Sequence, residues 1–365
     1  MQVYPFYVII LLFFGNYTGF GGLFTETVVV ESPEYFQKFR CKCGECRSVC
    51  CRGWRISLSE AEYFRLMGLS CGAELRRALD EAFAVAGEPS EERYAYIAPD
   101  AQGSCRVLDE DGWCRLHREC GEGVQPAVCR LYPRSIKPGE VTEACCSGSC
   151  EAVIEALMAL DHPLRFVTKE LQVSAPRPDC EPADKAKDDR RRHCIALLQQ
   201  PGEPLAERIR RIGAFLGVRE EADDALLLHR ALLLLTELGA GSLSLRELAV
   251  TVPRKLGAQS GVSGEVLARF LEMEAQARRA LPESERWLEQ SLVNHMYYAQ
   301  FPYAGDGISP LAAYDGLCGA YVLLRLLTAF ARDEVSFADL TAAAFRYIEH
   351  TDFYRNAHIV LRGHK

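Results

Sequence analysis

The sequence predicts a mainly α-helical protein with a cysteine-rich, metal-binding N-terminal half that contains a short β-hairpin, and an all-helical C-terminal half. Two observations lead to this prediction. The chain of 365 residues contains 16 cysteines, and all except Cys180, Cys194 and Cys318 fall between Cys41 and Cys150. From Cys194 onward, apolar residues recur at helical spacing without intervening strands, which argues against a Rossmann-like methyltransferase or dehydrogenase domain.

Length and composition indicate an ordinary folded protein. Hydrophobic residues make up 48% of the chain and charged residues 25%, and the formal net charge is -8. A chain of this length buries a substantial core without disulfides. Because the charge balance is acidic, it gives no indication of a basic surface for nucleic acid, and we expect no nucleic-acid partner.

The first 31 residues are predicted to form an uncharged N-terminal extension. Met1 to Thr25 contain no charged side chain, and Val3 to Phe14 form an apolar run about as long as the core of a signal peptide. A positive leading region and a small-residue cleavage site are both missing, and Pro5 interrupts a spanning helix. We expect a cytoplasmic protein, and this stretch leaves a membrane anchor open as the alternative.

The cysteines predict a metal site within residues 32–173. Five of them occupy eleven positions from Cys41 to Cys51, more small hydrophobes than core packing needs in one short segment. Zinc and an iron–sulfur cluster both remain open, because each takes four such ligands. The radical-type signature C-x-x-x-C-x-x-C is absent, since Gly53 occupies its third position. Eight cysteines are candidate ligands, enough for two sites or for one site with spare thiols: Cys41, Cys46, Cys50, Cys51, Cys105, Cys114, Cys129 and Cys150.

Short patterns predict the elements of this cysteine-rich domain. Ser59 to Glu62 is a capping box that starts a helix, and Gly68 ends it. Residues 72–98 are predicted to be helical from the spacing of their apolar side chains. Cys150 precedes an amphipathic helix, whose N-terminal dipole favours a thiolate.

A hairpin is predicted around the Asp-Glu-Asp-Gly turn that precedes Trp113. If Leu108 pairs with Trp113, then Cys105 and Cys114 lie on one face as diagonal neighbours, about 7–8 Å apart. This separation is too long for an easy disulfide, because the Cα atoms of bridged cysteines are usually less than about 7 Å apart. The geometry therefore favours ligands over a bridge.

Residues 174–193 are predicted to be an exposed linker, because they are rich in Pro, Asp, Lys and Arg and lack an apolar period. The helical domain then covers 194–365. Ser244 to Glu247 is predicted to be a capping box, and Ser309 is predicted to cap a helix with Pro310 in its first turn. The predicted helices are 205–216, 225–238, 265–280, 285–299 and 310–331.

Two polar segments of the helical domain are candidates for chemistry. The segment from Asn294 to Pro302 combines aromatic and polar side chains at a helix end. Arg346, Glu349 and His350 share one helical face, which could bind a carboxylate or position a base. A charged helix surface with an i,i+3 ion pair is the alternative interpretation.

The cysteine pattern resembles that of the flagellin lysine-N-methylase family, which has a CxxCxxCC-type zinc- or iron-chelating domain. The similarity continues weakly through Pro204-Leu205, Phe301-Pro302 and 346–350. The motifs that carry the resemblance are Phe39-Arg-Cys41, Cys46, Cys50-Cys51-x-Gly-Trp54, Cys105 to Gly112-x-Cys114, Cys129-Arg-x-Tyr-Pro-Arg134 and Ser149-Cys150. The chain departs from the family pattern by extra thiols at Cys43 and Cys145 and by its uncharged N-terminus.

The resemblance implies transfer of methyl groups from S-adenosylmethionine to lysines of flagellin, with an iron–sulfur cluster in the metal domain and zinc as the alternative. Such an enzyme must deprotonate the lysine, so a carboxylate, His or Tyr is expected near the acceptor. The candidates are Glu349, His350, His295 and Tyr297. A noncatalytic zinc- or iron-chelating module that binds a protein partner is the alternative function.

Overall fold

A computed structural model describes residues 26–47, 50–173, 184–219, 223–242, 244–304 and 307–362. The predicted N-terminal extension therefore lies almost entirely outside the described residues. The described chain is 55% helical, well above the roughly one third typical of globular proteins, which confirms the mainly α-helical class.

The chain forms two compact units whose boundaries differ from the predicted domains. The smaller unit is Arg40–Tyr132, and the larger unit combines the chain up to Phe39 with the chain from Pro133 onward. The cysteine-rich unit is thus an insertion into the helical unit. Two distant segments of the larger unit pair in one sheet, which is why its boundary does not follow the order of the sequence.

The smaller unit contains a three-stranded antiparallel sheet, with Ala95–Ile97 between Ile56–Leu58 and Phe83–Val85. The predicted helix over 72–98 is wrong beyond Ala82, because burial alternates along Ala95–Ile97 as it does in a strand. The α-helices of the unit are Glu60–Met67, Ala73–Ala82, Arg115–Cys120 and Ala127–Leu131.

The predicted capping box is confirmed. The hydroxyl of Ser59 accepts from the backbone N–H of Glu62 at 3.3 Å, and the Glu62 carboxylate accepts from the Ser59 N–H at 3.0 Å. Gly68 caps the other end of this helix. Two orphan donors of the first turn are thereby satisfied within four residues of sequence.

The predicted hairpin register is wrong by one residue. Leu108 bridges Cys114 instead of Trp113, and the Trp113 carbonyl accepts from the N–H of Asp109 at 2.7 Å. Cys114 is the N-cap of the helix Arg115–Cys120, so the second arm ends as soon as it has formed. Because the helix starts at Cys114, the start of the helix fixes the register of the hairpin.

The larger unit contains a four-stranded sheet that the sequence analysis missed. Its strand order is Arg134–Lys137, Thr142–Cys146, Glu26–Pro33 and Phe166–Val173. Glu26–Pro33 runs parallel to Thr142–Cys146 and antiparallel to Phe166–Val173. The single predicted hairpin thus understates the strand content.

Helices make up the rest of the larger unit. The five helices predicted after residue 204 are confirmed, with Leu234–Leu238 continuing the second of them as a π-helical turn. The α-helices are Glu151–Met158, Lys185–Leu198, Leu205–Phe215, Asp224–Leu233, Arg246–Leu256, Gly264–Ala280, Ser284–Tyr298, Pro310–Thr328, Glu334–Ile348 and Phe353–Arg362.

The linker predicted over 174–193 is wrong for its second half, because Lys185–Leu198 is a helix. Its charged sequence does not imply exposure. Arg191 is buried, with its side chain 4% exposed, because it forms ion pairs with Glu143 and Asp188. Residues 174–183 lie outside the described part of the chain.

The two capping predictions in this unit have different outcomes. Ser309 accepts from the N–H of Ala312 at 3.1 Å and caps the helix that begins at Pro310, as predicted. The box at Ser244 is wrong, because the helix there begins at Arg246 and the Ser244 hydroxyl donates to the Ala343 carbonyl instead. A tertiary partner has replaced the local one.

One helix among the described residues, Pro310–Thr328, is long and apolar enough to span a membrane. Its apolar window is 94% buried inside the protein, which is the environment of a core helix. Leu317, Leu323 and Leu326 are each at most 1% exposed. The helix therefore packs at the centre of the larger unit.

Candidate functional site

Seven of the eight predicted metal ligands lie in the smaller unit, and Cys150 lies in the larger one. The Sγ atoms of the adjacent Cys50 and Cys51 are 3.9 Å apart. Cys41 is exposed, and its Sγ accepts from the backbone N–H of Cys43 at 3.3 Å.

Five thiols of the smaller unit influence one another electrostatically. The pKa of Cys51 is raised by its contact with Cys50, by burial, and by the nearby Cys105 and Cys114. Burial raises the pKa of Cys105 to about 11. The pKa of Cys129 is also raised, by burial first and then by Cys114, Cys105 and Cys50. Burial and neighbouring thiols thus disfavour the ionisation of Cys51, Cys105 and Cys129, a situation that a bound cation would reverse.

The donor chemistry of this thiol cluster suits zinc or an iron–sulfur cluster. Its geometry is not that of a closed site. Within the described ranges, no group of three or more Cys, His, Asp or Glu side chains is placed to hold a single metal ion. The smaller unit thus brings suitable ligands into one neighbourhood without arranging them around a common centre.

The second cluster forms at the turn Ser147-Gly148-Ser149 in the larger unit. This turn connects the strand Thr142–Cys146 to the helix Glu151–Met158. Asn294 fixes the end of the strand, because its Nδ2 donates to the Cys146 carbonyl at 3.0 Å. The helix Glu334–Ile348 ends against this turn, and Glu349 is its C-cap.

Glu349 is the centre of this cluster. Its Oε2 accepts from the Ser147 hydroxyl at 2.6 Å and from the Gly148 N–H at 2.8 Å. Its Oε1 lies 3.0 Å from Nδ1 of His295, and both side chains are at most 1% exposed. The carboxylate therefore makes three hydrogen bonds away from solvent, each strengthened by its charge.

His295 links Glu349 to Tyr354, whose hydroxyl lies 3.0 Å from the histidine Nε2. Burial, followed by the charge of Glu349, raises the pKa of Tyr354, so this hydroxyl keeps its proton. Tyr354 therefore donates to Nε2 of His295, and the Nδ1–H of the same ring donates to Glu349. Both ring nitrogens are engaged, and His295 serves to orient its neighbours.

His350 is the exposed member of the cluster. Its Nε2 lies 2.9 Å from the Ser149 hydroxyl and 3.2 Å from the Ser147 hydroxyl. Desolvation of the ring lowers its pKa below the usual value, Glu349 opposes this shift, and Arg346 adds to it. The imidazole is therefore neutral at pH 7, in the state that can accept a proton.

Tyr297 lies apart from this cluster. Its hydroxyl donates to the backbone carbonyl of Glu31 at 3.2 Å and to the Glu31 carboxylate at 3.3 Å. It lines a cavity of about 200 Å³ together with Phe166 and Arg192. Of the four predicted catalytic residues, the structure thus brings Glu349, His350 and His295 together and separates Tyr297 from them.

Sequence reasoning missed Ser147, Ser149 and Tyr354. The two serines flank Gly148 just before a helix, which is a pattern typical of polar turns. Tyr354 carries no such local pattern, since only its packing brings it to His295. The sequence pattern could have identified the two serines, whereas no pattern could have identified Tyr354.

No family model matches the chain, and no solved structure matches it. A stretch of 110 residues, 30% of the chain, is 26% identical to the lysine-N-methylase of Salmonella typhimurium and to that of Salmonella choleraesuis, and it covers 27% of each. A stretch of the same length is 26% identical to the flagellar biosynthetic protein FliU of Salmonella muenchen, of which it covers 64%.

The chain thus matches about a quarter of the length of the two lysine-N-methylases. Two features agree: the cysteine motifs and this stretch of similarity point to the same group of proteins. The resemblance to lysine-N-methylases is therefore confirmed, as a distant and partial relationship.

Proposed function

We propose that the protein is a cytoplasmic lysine N-methyltransferase that uses S-adenosylmethionine and acts on flagellin. One observation carries the proposal. His350 is neutral and exposed, and a buried cluster of Ser147, His295 and Glu349 holds the chain next to it. The similarity to proteins named lysine-N-methylase supports lysine methylation as the reaction, and this reaction needs such a base.

The reaction needs a base because the lysine ammonium has a pKa of about 10.4 and carries no free electron pair at neutral pH. His350 takes this proton on Nδ1, because its Nε2 contacts the Ser147 and Ser149 hydroxyls. The nitrogen lone pair then attacks the methyl carbon of the sulfonium, forming an N–C bond while the C–S bond breaks. The electrons of the C–S bond remain on sulfur, giving N-methyl-lysine and S-adenosylhomocysteine, and His350 releases its proton to water.

Glu349 and His295 are positioning residues in this mechanism. Both are buried, and both are committed to partners inside the protein, so neither reaches an acceptor lysine. Glu349 fixes the Ser147-Gly148-Ser149 turn, and this turn supplies the hydroxyls that contact His350. The cluster therefore acts on the base by holding its orientation.

We further propose that Cys50, Cys51, Cys105, Cys114 and Cys129 supply the ligands of an iron–sulfur cluster, with zinc as the alternative. When bound, such a group stabilises the fold of the smaller unit or transfers electrons. The methyl transfer above involves none of these thiols. The raised pKa values of Cys51 and Cys129 support the proposal, because a bound cation would favour the thiolate form of these two side chains.

The test of the enzymatic function is transfer of labelled methyl groups from S-adenosylmethionine to flagellin by the intact protein, purified without oxygen. We expect labelled lysine and an equal amount of S-adenosylhomocysteine. Flagellin in which the lysines have been blocked by exhaustive acetylation is the matched substrate control. If the metal-replete protein transfers no label to unblocked flagellin, the proposal is wrong.

A noncatalytic metal-chelating module is the second candidate function. The observation that favours it is that Arg40–Tyr132 is a compact unit with its own core and most of the candidate ligands. Iron, acid-labile sulfide and zinc assays on the same preparation address this candidate. Zinc without iron or sulfide would exclude the iron–sulfur cluster, and zinc together with absent methyl transfer would favour the module.

A further inference from the structure

We propose that the cavity beside Tyr297 binds the amino-acid end of S-adenosylmethionine, with its α-carboxylate on Arg192 and its α-ammonium on Glu31. The identity of the ligand rests on the proposed function, and its position rests on the cavity. The eight residues that line the cavity all belong to the larger unit.

The charged wall of the cavity contains Arg191 and the facing pair of Arg192 and Glu31. Nη2 of Arg192 lies 2.9 Å from Oε2 of Glu31. The Arg192 side chain is 54% exposed, whereas that of Glu31 is 9% exposed. Because Arg192 is exposed, a ligand can reach its guanidinium from solvent, but the buried Glu31 carboxylate needs a replacement cation when the pair opens.

A zwitterion is the ligand that this pair fits best. A carboxylate alone would leave Glu31 buried without its cation, and an ammonium alone would leave Arg192 without its anion. An α-amino acid carries both groups on one carbon atom, so each residue exchanges one partner for another of the same charge. The neighbouring Arg191 is not available for this exchange, because Glu143 and Asp188 already bind its guanidinium.

The apolar wall fits the remainder of a methionyl group. The rings of Phe166 and Tyr297 lie 4.5 Å apart between centroids, and Ile195 and Ala196 complete this wall. An aromatic wall is also a favourable neighbour for a sulfonium cation.

The size of the cavity limits what it can hold. Pockets that enclose a whole drug-sized ligand measure about 300–1,000 Å³, whereas this cavity measures about 200 Å³. It therefore has room for the amino-acid end of the donor, and the adenosine would extend beyond it.

The cavity also lies near the His295–Glu349 cluster. Tyr297 lines the cavity and His295 belongs to the cluster, and these two residues are two positions apart on the helix Ser284–Tyr298. This proximity is what a donor site beside a catalytic base requires.

The test compares two probes on the intact protein by titration calorimetry. S-adenosylhomocysteine carries the amino-acid end, and 5′-methylthioadenosine has the same adenosyl thioether without it. We expect Arg192→Gln to raise the Kd for S-adenosylhomocysteine about tenfold or more, as the loss of a charge-assisted hydrogen bond implies, and to leave the Kd for methylthioadenosine unchanged. Arg192→Lys should restore part of the affinity.

Arg210→Gln is the matched control, because Arg210 is an exposed arginine of the same unit that pairs with Glu207 at 2.6 Å. It should bind both probes like the wild type. Equal affinity of Arg192→Gln and wild type for S-adenosylhomocysteine would overturn the inference while leaving the proposed function intact. A raised KM for flagellin with unchanged donor affinity would also overturn it, since the cavity would then take the acceptor. Absence of both donor binding and methyl transfer in the wild type would reject the proposed function itself.

Discussion

Replacing Glu349 with alanine tests the cluster at its centre. The substitution removes the acceptor of three buried donors, namely the Ser147 hydroxyl, the Gly148 N–H and the His295 ring N–H. Each buried donor left without a partner costs about 1–3 kcal/mol. The Ser147 hydroxyl can turn toward the Ser149 hydroxyl, which lies 2.6 Å away, so two donors lose their partner: the Gly148 N–H and the His295 ring N–H. At about 2 kcal/mol for each of them, we expect a loss of about 4 kcal/mol in the free energy of unfolding.

Glu349→Gln is expected to cost less, about 1–2 kcal/mol, because its amide oxygen can still accept from both donors of the Ser147-Gly148 turn. The charged Glu334 at the start of the same helix is exposed, and Glu334→Ala is the matched control, with an effect within about 0.5 kcal/mol. The expected loss in the free energy of unfolding is therefore largest for Glu349→Ala, smaller for Glu349→Gln and smallest for Glu334→Ala.

Hydrogen exchange as a function of urea measures these effects for the larger unit separately from the smaller one. Peptides that contain Gly148 should lose protection first in Glu349→Ala, because the N–H of that residue has lost its acceptor. If Glu349→Ala unfolds within about 1 kcal/mol of the wild type, the carboxylate does not hold the turn and its role in positioning His350 is refuted.

Three further predictions follow from single contacts. His350→Ala should lower the rate of methyl transfer about 100-fold or more, and the rise of the wild-type rate through the depressed pKa of His350, below pH 6.5, should disappear from its pH profile. Gly316→Ala should lower the free energy of unfolding by about 1–3 kcal/mol, because the alanine Cβ would lie 2.1 Å from Cδ1 of Tyr354. Gly264→Ala is the control: its Cβ meets no atom within 4 Å, so the melting temperature should not change. Burial raises the pKa of Cys145 from 9.0 to about 12. This thiol therefore stabilises the fold fully below pH 9 and progressively less as the pH rises toward 12. The urea midpoints of unfolding at pH 8 and pH 10 should differ less in Cys145→Ala than in the wild type.

Helix boundaries and caps were largely predictable from the sequence, whereas strands were not. The box at Ser59 and the cap at Ser309 depend on residues within three positions, and both are present. The capping box predicted at Ser244 has the same local pattern but does not form, because the Ser244 hydroxyl donates to the Ala343 carbonyl, 99 positions away. Local patterns thus predict a cap only where no tertiary partner competes for the side chain.

The residues of the candidate site were only partly predictable from the sequence. Glu349 and His350 are adjacent in sequence, so any pattern that identifies one identifies the other. His295 was proposed for its residue type and joins them in the structure, whereas Tyr297, two positions further along the same helix, points to Glu31. Residues two apart on a helix face different directions, and packing decides which direction leads to the site.

By itself the sequence determined the helical class and most of the C-terminal helices, because helical period and capping are properties of a few neighbouring residues. The tertiary structure decided what depends on distant segments. It paired Glu26–Pro33 with Phe166–Val173, placed Cys150 in a different unit from the other candidate ligands, and brought Ser147 to Glu349 across 202 positions. The physical reason is that contacts between distant segments are selected by how the whole chain buries its apolar surface and satisfies its buried polar groups, which no short pattern encodes.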